Sequence, residues 1–165
     1  MTLSRSMLSG LALTTMLFFG QTANAAIIEF TVPLLGSEEV GGSGDLDGSG
    51  LAIFSIDDVA LTIDWTITVS DVSSITGLHI HQADAGANGA VVVNFNGQLT
   101  GTDVFDADLA NLLADPTNFY VNVHTSEFSG GALRGQLTAA AVPAPATLGL
   151  LGLGLIALSL WRRRA

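Results

Sequence analysis

The residues best equipped for chemistry are three histidines, two of them adjacent in His79-Ile80-His81. On an extended strand, residues two apart project from the same face, so both imidazoles can reach one ligand. The third, His124, ends the alternating segment Tyr120-Val121-Asn122-Val123-His124 and can arrive at the same place from another strand. Neutral imidazole is a common ligand for zinc and copper, and three of them leave one coordination position open. The alternative is structural: the rings hydrogen-bond to one another, to Asn122, to Asp84 or to Arg134 and fix the sheet. His-x-His is a weak pattern alone, so the structural use is preferred, and His79, His81 and His124 stand as the metal candidate.

Asp45-Leu46-Asp47-Gly48-Ser49-Gly50 is a second candidate. Asp45, Asp47 and Ser49 fill the first three ligand positions of a calcium loop, and Gly50 its turn position. Ile56 stands where the bidentate Glu belongs, so a Gly-rich loop before a strand is preferred over a weak extracellular calcium site. There is no Gly-x-Ser-x-Gly, no cysteine, no lysine and no His-Glu-x-x-His. The acids fall mostly in turns, where solvation accounts for them, so the carboxylate pair of a glycosidase is not indicated. No catalytic residue is assigned and enzymatic activity is not expected.

These candidates need strands to position them. Alternation predicts strands over 27–34, 51–56, 59–69, 78–81, 90–95, 98–103, 119–124 and 132–138, with a tight turn at Asp57-Asp58. One short helix is expected over 106–114, with Asp106 as N-cap, a Leu109, Leu112 and Leu113 stripe, and a stop at Asp115-Pro116. About seven strands and one helix favour an all-β antiparallel sandwich over a barrel.

Both ends carry a different signal. Arg5, an apolar run over 7–20 and Ala23-Asn24-Ala25 have the form of a secretory signal peptide over 1–25, cleaved after Ala25. At the other end an apolar run over 148–161 precedes Arg162, Arg163 and Arg164. That run is short for a span of about 17–25 residues. The uncharged stretch reaches back to Val142, and the arginines can snorkel, so a hydrophobic helix anchoring the chain in a membrane is feasible.

The domain between them, 26–141, holds all fifteen acids against the single base Arg134, a net charge of about −14. Such a surface cannot neutralise a phosphate backbone, which excludes nucleic acid. Arg134 is expected to pair within the domain. Without cysteine, stability must come from a packed core.

The order of motifs in this domain resembles the CHRD domain, the repeat first named in chordin. The resemblance is carried by Leu34-Leu35-Gly36-Ser37-Glu38-Glu39-Val40, Ser49-Gly50-Leu51-Ala52, Gly77-Leu78-His79-Ile80-His81 and Asn88-Gly89-Ala90-Val91-Val92. Tyr120-Val121-Asn122-Val123-His124-Thr125 and Gly130-Gly131-Ala132-Leu133-Arg134-Gly135-Gln136-Leu137 complete it. Gly41-Gly42 stand where the family commonly has prolines, and Ala132 where it commonly has Glu. The resemblance implies a non-enzymatic binding or structural module with an Ig-like or superoxide-dismutase-like sandwich, and it establishes no cofactor. Zinc, copper or calcium would enter only through the sites above. Copper–zinc superoxide dismutase uses a His-x-His pair on one strand, but three histidines cannot supply that enzyme's full ligand set.

The tail over 142–165 resembles a PEP-CTERM sorting signal: the motif Val142-Pro143-Ala144-Pro145-Ala146-Thr147, a hydrophobic helix, then the arginines. Ala144 replaces the family's usual Glu. This implies an exosortase-type processing partner, export through the inner membrane of a Gram-negative bacterium, and delivery to the surface or beyond with at least transient anchoring. Extracellular polysaccharide or matrix proteins are the partners such delivery suggests. The competing expectation is a metal-binding or metal-dependent oxidoreductase domain using the three histidines.

Overall fold

A computed structural model of the protein describes residues 25–138. The hydrophobic leader, the sorting motif at Val142, Pro143, Ala144 and Pro145, and the arginine cluster lie outside them. Among the described residues no helix is long and apolar enough to cross a membrane.

Eight strands form: β1 (Ile27–Leu35), β2 (Ser49–Asp57), β3 (Thr62–Ser70), β4 (Ile75–Gln82), β5 (Ala90–Asn94), β6 (Thr100–Phe105), β7 (Phe119–Thr125) and β8 (Leu133–Gln136). All pairings are antiparallel, in the order β5-β4-β7-β8-β1-β2-β3-β6. The segment expected over 98–103 forms the edge strand β6, shifted two residues along the chain, and it buries none of its residues.

The strands make one curled sheet. In strand pairing its two halves meet at a single bridge between Leu35 and Arg134, two residues after Pro33, which has no N–H to give to a ladder. The segment between β5 and β6 ties the ends together: Phe95 N donates to Leu78 O of β4, and Ile67 N of β3 donates to Leu99 O.

Alternation is what builds the interior. β1 buries Ile28, Phe30, Val32 and Leu34 and exposes the residues between them. Phe54, Ile56, Ile63, Leu78, Ile80, Val121, Val123 and Leu133 complete one continuous core that is closed to solvent. Each such side chain contributes roughly 1.5–3 kcal/mol of burial. Trp65 lies directly on Gly101 of β6, where any side chain would collide with the indole, and its Nε1 donates to Gln98 O at 2.8 Å.

The helix α1 (Leu109–Ala114) starts three residues later than expected. Asp106 Oδ1 accepts from Asp108 N at 2.9 Å, so its carboxylate closes the turn before the helix and is not the cap of the helix itself. Leu109 and Leu112 are buried, and the chain leaves the helix at Asp115-Pro116.

A candidate metal centre of three imidazoles

Register places the site. His79 is opposite Asn122, His81 opposite Tyr120, and Gly77 opposite His124 across β4 and β7. Asn122 is opposite Arg134, and Tyr120 opposite Gln136, across β7 and β8. Directly opposed residues share a face, so one face of β4, β7 and β8 carries all these polar groups. The other face presents Leu78, Ile80, Val121, Val123 and Leu133 to the core.

The three histidines converge as expected. Ring centroids are separated by 5.5 Å for His79 and His81, 5.0 Å for His79 and His124, and 5.8 Å for His81 and His124. One ligand nitrogen from each lies within 4.8 Å of the others. A tetrahedral ion with bonds near 2.0–2.1 Å holds nitrogens roughly 3.4 Å apart, a spacing that small side-chain rotations can reach.

Their hydrogen bonds differ from those of a structural cluster. The rings do not bond to each other, to Asn122, to Asp84 or to Arg134. His81 Nδ1 lies 3.0 Å from Gly89 O, and His124 Nδ1 lies 3.0 Å from Ser129 O. A carbonyl oxygen only accepts, so each Nδ1 carries a proton, and in the neutral ring Nε2 then keeps a free lone pair. Both Nε2 atoms are buried without a partner, as is His79 Nδ1.

The charged form is disfavoured as well. Burial first, then His124 and His81, lowers the pKa of His79. Burial also lowers that of His81, against the opposing hydrogen bond to Gly89 and with help from His124 and Arg134. Neutral imidazoles with bare nitrogens are what a transition metal requires, and the donor set fits zinc or copper.

Among the described residues, five buried side-chain polar atoms have no partner, and all belong to this region. The other two are Asn122 Oδ1 and Glu39 Oε1. Glu39 enters from the loop after β1, against Gly44 and Gly131, and is only 6% exposed. Desolvation raises its pKa, opposed by the Arg134 charge and by the Asn122 amide. Sequence reasoning included Glu39 only as part of a motif, because nothing local shows that an acid beside Glu38 folds inward. Glu39→Gln removes the buried charge and supplies a donor for an orphaned oxygen. It is expected to stabilise the protein by about 1–2 kcal/mol at pH 7, measured by urea unfolding.

Arg134 is 2% exposed and does pair within the domain, though with no carboxylate. Its guanidinium donates to Ala87 O at 2.8 Å, Asn88 Oδ1 at 3.2 Å, and Asp84 O and Gln136 Oε1 at 3.4 Å. It also lies 3.4 Å over the Tyr120 ring, whose plane stacks on His81 at 4.9 Å and 9°. Three of its four acceptors lie in the loop after β4.

The calcium candidate is not drawn together in this way. Asp45 Oδ1 accepts from Asp47 N at 3.2 Å and Gly48 N at 3.1 Å, a local turn, while Ser49 opens β2 opposite Leu35 and Ser70. Tertiary contacts bring Asp71 and Glu127 to the same groove as Asp45 and Asp47.

Fold and site together define a small all-β domain with a cluster of three imidazoles on one sheet face. Residues 30–137 match the CHRD domain, and the chain belongs to that family. Residues 141–164 match the PEP-CTERM protein-sorting motif, which marks a protein for export and membrane-associated sorting by exosortase processing enzymes. No curated protein and no solved structure matches the chain.

Proposed function

We propose that this protein is a surface-delivered, non-enzymatic binding module that holds one zinc or copper ion through His79, His81 and His124. One observation carries the reading: each of the three converging rings holds a buried nitrogen without a hydrogen-bond partner, and one ligand nitrogen from each lies within 4.8 Å of the others. Leaving such groups unmet costs about 1–3 kcal/mol each, so a fold that keeps three together gains from an ion that satisfies all of them. The backbone acceptors on two of the rings act as outer-shell partners, which orient ligating histidines. An Ig-like or superoxide-dismutase-like sandwich, exposure at the cell surface, and contact with extracellular polysaccharide or matrix proteins belong to the same reading.

Elemental analysis of the purified full chain tests it. One zinc or copper per chain, lost to a chelator with a fall in melting temperature, is the expected result. Metal-free protein that binds neither added ion would sink the proposal.

The tail has its own test. Neutral replacement of Arg162, Arg163 and Arg164 is expected to leave the protein unsorted in cell fractionation, because the charge that holds the tail's end is gone. Normal surface delivery of that variant would remove exosortase sorting from the proposal.

A further inference from the structure

Tyr120 is not a ligand, yet every interaction it makes bears on one. Its ring lies between His81 and the Arg134 guanidinium, and it is 2% exposed. Its hydroxyl accepts a hydrogen bond from Gly89 N at 3.2 Å. Gly89 is also the residue whose carbonyl accepts from His81 Nδ1. Both peptide units of Gly89 are thus held by this pair of side chains. The loop leading to Gly89 is fastened by Arg134 at Asp84, Ala87 and Asn88. Gly89 has no freedom to carry a side chain, because a Cβ there would run into the Gln82 carbonyl.

We propose that Tyr120 is a positioning residue of the histidine centre: through Gly89 it fixes the Nδ1-protonated tautomer of His81 and so keeps Nε2 bare for the ion. The proposal rests on the metal reading for its purpose, but its structural claim does not need the ion. A neutral imidazole has two tautomers of similar energy, and the acceptor offered to one nitrogen decides between them. That acceptor is the Gly89 carbonyl, and its place depends on what holds Gly89. The ring stack sets the plane of His81, and the hydroxyl sets the position of its acceptor. His124 has its own acceptor in Ser129 O, five residues along the chain and independent of Tyr120, so it serves as an internal control.

The experiment is Tyr120→Phe in the full chain, which keeps the ring stack and removes only the hydroxyl. Two quantities are read: the imidazole 15N chemical shifts of His81 and His124 in metal-free protein, and zinc affinity by competition with a chelating dye. In the wild type both rings are expected to show Nδ1–H. In the variant His81 is expected to move towards the Nε2–H form while His124 stays, and zinc affinity to fall roughly 10–100-fold, as for loss of an outer-shell partner.

Gly89→Ala, which displaces the same peptide with Tyr120 intact, should reproduce the His81 shift. An unchanged His81 tautomer in Tyr120→Phe overturns the proposal, whether affinity holds or falls. If the tautomer moves but the wild type binds no metal, the positioning role stands and the metal reading is what fails.

Discussion

His81→Ala is expected to abolish stoichiometric zinc or copper retention, with a loss of affinity beyond the roughly 10–100-fold that follows removal of an outer-shell partner. His81 is the most enclosed of the three candidate ligands, at 8% exposure, and the one that both stacks on Tyr120 and meets the Gly89 carbonyl. Without it only His79 and His124 remain, and two imidazoles cannot hold an ion with the geometry that three converging donors define. Equilibrium dialysis with elemental analysis checks this, and His81→Gln serves as a companion variant that keeps more of the buried volume. Full metal occupancy in either variant would contradict the assignment.

The same ring gives the metal-free protein a pH dependence. The folded pKa values of His79 and His81 lie below the ordinary 6.5, with burial as the first cause. Below that value the unfolded chain takes up protons that the folded one refuses. The stability these rings preserve is therefore present above about pH 6.5 and lost as pH falls towards their lowered values. Glu39 has the opposite sign: its raised pKa contributes stability below the ordinary value of 4.5 that is lost as pH rises through its folded value. Thermal melts in chelator between pH 5 and pH 7.5, compared with His81→Ala and Glu39→Gln, separate the two contributions. In Glu39→Gln, where the opposing contribution is gone, a melting temperature that does not fall on acidification would contradict the lowered pKa values of the rings.

Arg134→Gln is expected to produce the largest loss of stability, about 3 kcal/mol, or a fall of more than about 10 °C in melting temperature. The guanidinium is the domain's only Lys or Arg head group, it is buried, and it joins β8 to the loop after β4 through three hydrogen bonds to neutral oxygens, with a fourth to Gln136 of its own strand. Its removal leaves the carbonyls of Asp84 and Ala87 without their donor and Tyr120 without the cation on its face. Zinc affinity should fall with it, because the freed loop ends at the Gly89 acceptor of His81. Scanning calorimetry and dye competition on one preparation test both. Unchanged stability would mean that the loop is held by its own turns.

Most of the fold was legible because strand alternation is a local signal. Alternation of Leu61, Ile63, Trp65, Ile67 and Val69 in one segment and of Ile28, Phe30 and Val32 in another placed the buried faces of β3 and β1, although Leu61 falls before β3 and both it and Val69 are only half-buried. The late start of α1 was missed because Asp106 is equally suited to a cap or a turn, and only the backbone geometry chooses. Convergence of His79, His81 and His124 followed from period-two spacing on two segments, but their unpartnered nitrogens did not. The acceptors that set the tautomers, Gly89 and Ser129, lie in loops whose paths no periodicity describes.

The sequence by itself determined the strands, the CHRD family, the sorting signal and which three residues could meet at one face, since each depends on residue type at short spacing. Only the tertiary structure decided that the strands form one curled sheet joined at Leu35 and Arg134, and that Glu39, Tyr120 and Asn122 surround the histidines. The reason is physical. Hydrogen-bond satisfaction and desolvation depend on which groups share a dry interior, and residues as distant as Glu39 and Arg134 become neighbours only when the whole sheet closes.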